Sequence, residues 1–149
     1  MATIPLPHVW NEFLRLMISN DVRYMLVGGI AVVYYGYPRG AGGIHFWVDN
    51  TLDNERAVTA TLEAFEIRPS ETFYEAFRKW GKVIRLGCPP LRIELLTGME
   101  GLIFQACYAR RGKARFDDIE ADIISLEDLK VNKRARGRAN DMDDLANLP

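Results

Sequence analysis

Apolar residues near the start of the chain recur with a helical period. Trp10, Phe13, Leu14 and Met17 stand at i, i+3, i+4 and i+7, predicting one buried helix face behind Pro5 and Pro7, with Asn20 and Asp21 breaking the helix. Arg23–Val27 is then a short apolar run of strand formers, stopped by Gly28-Gly29. Ile30–Tyr35 has helical length and is closed by Gly36, Pro38 and a glycine-rich loop, after which Ile44–Val48 reads as a second strand. Asp53–Glu66 predicts a helix with Val58, Leu62 and Phe65 inward, whereas the polar stretch 69–82 fits no template. Lys82–Leu86 and Leu91–Leu95 read as strands joined by Gly87-Cys-Pro-Pro90, and the alternation of Arg92 and Glu94 with apolar neighbours puts Glu94 on a polar sheet face. Gly98 is expected to open a helix through Leu102–Tyr108, and residues 114–125 suggest one or two edge strands. Ser125 predicts an N-cap with Asp128 three residues on, Gly137 the end of that helix, and Asn140 the cap of a last helix through Leu148. Helices alternating with strands predict an α/β fold with a mixed β-sheet flanked by helices, in a single domain over residues 1–149.

Composition narrows the functional classes. A net charge of -1 gives no overall attraction to nucleic acid or membrane, so such a partner needs a local basic patch. Cys88 and Cys107 lack metal-site or redox spacing and read as reduced, buried thiols. The first residues show neither a basic nor an apolar signal segment, and no apolar run reaches membrane-spanning length. A cytoplasmic protein without a membrane partner is expected.

The most informative stretch is VGGIAVVYYGYPRGAGGIHFWV, residues 27–48. A Gly-Gly pair between a buried strand and a helix lets backbone N–H groups approach a phosphate, or serves only as a tight turn. Together with the later RIELLTG and SLEDLKVNKRARGRANDMDDLANL, the stretch resembles small bacterial proteins of the nucleotidyltransferase fold, including minimal nucleotidyltransferases and, more distantly, abortive-infection toxin nucleotidyltransferases. The resemblance runs from about Tyr24 onward. Gly28 and Gly29 match the glycine turn, Arg39 the loop arginine, Glu94 the third acid, and Lys133 and Asp141 the C-terminal segment. Ala41 replaces a hydroxyl residue, and Gly43 and His45 replace the two aspartates that open the second strand.

The resemblance implies transfer of a nucleoside monophosphate from a nucleoside triphosphate to a hydroxyl of RNA, protein or a small molecule, with Mg²⁺ or Mn²⁺. Glu94, Lys133 and Asp141 would be catalytic, and Gly28, Gly29, Arg39 and Lys133 would hold phosphate. Positions 43 and 45 share a strand face, where two carboxylates would bridge two ions. Gly43 offers no ligand atom, and His45 offers one nitrogen, which suits Mn²⁺ or Zn²⁺ better than Mg²⁺. His45 with Glu94 is thus the remaining metal pair, or His45 simply lines the cleft. Asp49 lies too far along the strand to join it.

Two basic segments complete the reading. Lys130, Lys133 and Arg134 share a helix face, with Arg136 and Arg138 following, and Arg110, Arg111, Lys113 and Arg115 form a second cluster. Each is a solvated face or a phosphate or RNA contact. Arg39 is a bidentate phosphate clamp or the partner of an acid such as Asp49 or Glu94. Two functional classes follow: an enzyme, or a degenerate module that binds nucleotide or RNA, with one half of a toxin–antitoxin-type pair, bound to a cognate protein partner, as a further alternative.

Overall fold

The computed structural model describes residues 3–149. In chain order its elements are α1 (His8–Ser19), β1 (Tyr24–Val27), α2 (Gly28–Tyr34), β2 (Gly43–Val48), α3 (Leu52–Ala64), α4 (Glu71–Phe77), β3 (Val83–Leu86), β4 (Arg92–Leu96), α5 (Phe104–Ala109), β5 (Gly112–Phe116), β6 (Ile119–Ile123), α6 (Leu126–Arg136) and α7 (Ala139–Asn147). The strands form one mixed sheet in the order β3-β4-β2-β1-β6-β5. Antiparallel hairpins β3/β4 and β5/β6 lie at its two ends, β1 and β2 run antiparallel, and β2/β4 and β1/β6 are parallel. The α/β class with helices flanking a mixed sheet is therefore as expected.

Alternation along β2 divides the core. Phe46 faces α1, with its ring 5.8 Å from Phe13, and Phe13 in turn meets Phe65 at 5.2 Å. Trp47 faces the other side, edge-on to Phe104 at the start of α5. All four residues of β1 are buried, as a central strand covered on both faces requires. The predicted face of α1 is the buried one. Among the described residues, no helix is long and apolar enough to cross a membrane.

Several local expectations change. The unassigned stretch contains α4, started by Ser70, whose hydroxyl accepts from Phe73 N, and anchored by buried Phe73 and Phe77. Gly98 does not open a helix; α5 begins only at Phe104. A Cβ on Gly98 would sit 2.5 Å from the Trp80 ring and 2.7 Å from Gly81 N, so this glycine serves close packing. Residues 112–123 give two strands, of which only β5 is an edge, because β6 inserts beside β1. Ser125 does cap α6, accepting from Asp128 N at 3.1 Å, and Gly137 ends it at φ 64°. Asn140 lies inside α7; Arg138 is the residue before the helix, and its backbone N–H donates to Asp141. Cys88 is exposed rather than buried, since it sits in the β3–β4 turn. Cys107 is buried, and burial with Asp128 nearby pushes its thiol up to about 11, leaving it unreactive at neutral pH.

The two sheet edges differ. Ile4 bridges to Phe116 in parallel, its N–H donating to Arg115 O at 3.2 Å and its carbonyl accepting from Asp117 N at 3.0 Å. The outer side of β5 is thus partly covered. On β3, Lys82 O accepts from Thr97 N, which sets the alternation so that Val83 and Arg85 direct their backbone groups outward.

Candidate functional site

A cleft of about 220 Å³ opens where β1 passes into α2, bounded by the 39–42 loop, by β2 and by α6. It gathers most of the residues singled out in the sequence: Gly28, Gly29, Arg39, His45, Lys133 and Asp141 all line it. Glu94 stands behind this wall, directly opposite His45 in the parallel β2/β4 ladder. Val27, Ala41, Gly42, Leu96, Met99, Leu129, Asn132, Arg136 and Asn140 complete the lining; Arg136 belongs to the basic segment read from the sequence as a solvated face or a phosphate contact, whereas Leu96, Met99, Leu129 and Asn132 were not anticipated.

The glycine turn makes room for the chain's own side chains. Gly28 has φ +69°, and a Cβ there would meet His45 Nδ1 at 2.9 Å. On Gly29 it would meet Ala41 Cβ at 2.9 Å and Arg39 Nη1 at 3.3 Å. Side chains at either position would push the imidazole or the arginine loop out of the cleft wall.

At the two aspartate positions the geometry is restrictive. An added Cβ on Gly43 would lie 2.6 Å from the carbonyl oxygen of Arg92, a backbone atom of the neighbouring strand. A carboxylate therefore cannot be carried there unless β2 and β4 separate. His45 Nε2 is 3.5 Å from Glu94 Oε1, while its Nδ1 is buried without a hydrogen-bond partner. Burial lowers the His45 pKa below the ordinary histidine value, and Lys133, Arg136 and Arg39 reinforce that against the opposing pull of Glu94. The imidazole is accordingly neutral at pH 7. Glu94 is itself approached by Arg92 at 3.4 Å and Arg85 at 4.0 Å. Among the described residues, no three His, Cys, Asp or Glu side chains converge as a metal site. One imidazole and one arginine-paired carboxylate do not fit a pair of Mg²⁺ ions, which need several oxygen donors. Asp49, set aside from the sequence, is held by Arg23 Nε at 3.0 Å.

Opposite His45, cations and carboxylates interlock. Arg39 meets Asp144 through two hydrogen bonds, Nε at 2.7 Å and Nη2 at 2.8 Å. The acid that takes this arginine is Asp144, rather than Asp49 or Glu94. Lys133 is buried, 2.8 Å from Asp144 and 3.4 Å from Asp141, and Arg136 approaches Asp141 at 3.4 Å and Glu100 at 3.8 Å. Burial disfavours charged Asp144, but the hydrogen bonds from Arg39 and Lys133 outweigh it and hold the pKa below the usual aspartate value. Asp144 was missed in the sequence, although Asp141 and Asp144 stand at i and i+3 of α7 and so share a face. Arg136 has the longest contacts of the three cations and is the one best able to turn toward a ligand.

The predicted basic segments resolve differently. Lys133 turns inward, away from the exposed Arg134, while Lys130 donates to the carbonyl of Pro149. In the second cluster, Arg110 is bidentate to Asp128 at 3.0 and 3.2 Å. Arg111 lies 3.8 Å above the Tyr108 ring and 3.2 Å from Asp122, which also pairs with Lys113. Arg110, Arg111 and Lys113 are thus held in ion pairs, while Arg115 is exposed without one among the described residues. No protein-family model matches the chain, and no curated protein matches it.

Proposed function

We propose that the chain is a nucleotidyltransferase-fold protein whose cleft binds the phosphates of a nucleotide without carrying out two-metal transfer. The observation that carries this reading is the contrast within one cleft. Glycine turn, Arg39, Lys133, Asp141 and Arg136 converge there, while Gly43 is closed to a side chain by the Arg92 carbonyl. Three cations face two buried carboxylates, and Arg136, shared between Asp141 at 3.4 Å and the exposed Glu100 at 3.8 Å, is the cation that a bound anion would draw in. Phosphate recognition by arginine and lysine needs no divalent ion, whereas activation of an acceptor hydroxyl by metal does.

The test is calorimetric titration with ATP, GTP, CTP and UTP, in EDTA and in Mg²⁺. Binding is expected in EDTA, and Arg136→Gln is expected to weaken it about tenfold, the effect of one charge-assisted hydrogen bond. Strictly metal-dependent binding, or transfer of label from an α-labelled nucleotide by the unaltered chain, overturns the reading in favour of an active transferase.

A further inference from the structure

From Arg78 to Ile93 the chain carries Arg78, Lys79, Lys82, Arg85 and Arg92 and not one acidic residue, in a protein of net charge -1. Arg78 is bound to Glu55 at 2.8 Å. Lys79 and Lys82 are exposed and form no side-chain ion pair among the described residues. Arg85 and Arg92 share the single acid Glu94 at 4.0 and 3.4 Å.

Within this basic strip stands Trp80, a large indole left 61% exposed. Such exposure is uncommon for a side chain this apolar. The ring is not loose, because Gly98 lets it sit against backbone where any Cβ would stand 2.5 Å from Cε2 and Nε1. Gly98 lies between Leu96 and Met99 in sequence order, and both of those line the cleft. Val83 and Arg85 pair with Leu96 and Glu94, so all four project from one sheet face. Val83 and Arg85 are exposed there, whereas Lys82, one position earlier in the same alternation, projects from the other face.

We propose that the exposed turn leading into β3 binds single-stranded nucleic acid, with a base stacked on Trp80 and the backbone held by its unpaired neighbours Lys79 and Lys82. A fixed aromatic face among unpaired cations is the arrangement that holds a single strand without reading its sequence. A protein partner with acidic residues is the competing occupant, since an exposed indole also anchors protein interfaces, and poly-glutamate tests its use of the cations. Lys79, Trp80 and Lys82 do not line the cleft, so strand binding and nucleotide binding can succeed or fail independently.

Intrinsic fluorescence supplies the readout, since Trp10 and Trp47 are buried and Trp80 is the exposed indole. Oligouridylate and oligothymidylate of about ten nucleotides, within the span such surfaces cover, are titrated into the full chain. A duplex of the same length and poly-glutamate serve as comparisons, with anisotropy of labelled strands followed in parallel. The expected result is quenching by both single strands, with weak binding of the duplex and no quenching by poly-glutamate. A preference between the two strands then separates RNA from DNA. Trp80→Ala is expected to lower affinity about tenfold or more. Lys82→Glu, on an exposed side chain that leaves the indole in place, is expected to lower affinity and flatten its salt dependence. Absence of binding at low salt, affinity unchanged in both variants, equal binding of duplex, or equal quenching by poly-glutamate overturns the proposal.

Discussion

The two ends of the sheet carry similar numbers of basic residues and treat them in opposite ways. At the β5 end, Arg110, Arg111 and Lys113 are each matched to a carboxylate, through Asp128 and Asp122. At the β3 end, Lys79 and Lys82 have no such partner, and two arginines share one glutamate. A cation already paired to a carboxylate is structural, because a ligand must first displace an intramolecular neighbour held at high effective concentration. The cleft lies between these extremes, with Arg39 and Lys133 tightly paired and Arg136 loosely so.

The sharpest way to break this comparison is to remove the buried acid that holds Arg39 and Lys133. Asp144 is 2% exposed and serves both Arg39 and Lys133, so Asp144→Ala leaves Arg39 without its carboxylate and Lys133 with Asp141 alone. A loss of about 3–5 kcal/mol in urea unfolding is expected, as for breaking a buried pair from one side. The same residue sets an acid limb. Its folded pKa lies below the ordinary value of 3.8, so its stabilisation is present above that value and is lost as pH falls through the folded one. Asp144→Asn is expected to flatten this limb in acid unfolding measurements, and an unchanged limb would show that Asp144 is not its source.

A smaller effect is expected on β2. Gly43→Ala forces a Cβ against the Arg92 carbonyl and is expected to cost about 1–3 kcal/mol in thermal unfolding, the usual cost of overpacking. A neutral result would mean that the strands separate readily and that the closed position is no barrier to a carboxylate.

The smallest effects sharpen the contrast between the ends. Arg111→Ala removes a ring contact and an ion pair with Asp122 and is expected to cost about 1 kcal/mol. Lys82→Glu, with no partner to lose, is expected to stay within about 0.5 kcal/mol. Equal losses at the two sites, measured by urea unfolding, would erase the distinction drawn between paired and unpaired cations.

The sequence made the elements legible where periodicity was strong, as in α1, β1 and β2, and where a cap announced a helix, as at Ser125 and Gly137. It failed at α4, because a seven-residue helix with only Phe73 and Phe77 buried offers too few apolar repeats to register. It misread Gly98, whose requirement is imposed by Trp80, 18 positions earlier, and no local rule reports that contact. The cleft lining was foreseen for Gly28, Gly29, Arg39, His45, Lys133 and Asp141, all within motif segments. Asp144 escaped because charge pairing across 105 residues is a property of the folded chain, not of spacing. The same limit hid the basic strip, since only the fold reveals that Asp128 and Asp122 neutralise one cluster while the other is left uncompensated.

The parallel bridge from Ile4 to Phe116 has a bearing on how this protein behaves at high concentration. Growth of a fibril by strand addition requires two receptive borders on every subunit, one to join and one to be joined. With β5 partly covered by a segment of its own chain, the short border at β3 is the more receptive of the two. Strand addition at β5 therefore requires the Ile4 segment to leave first, so a second copy of the chain meets less resistance at β3.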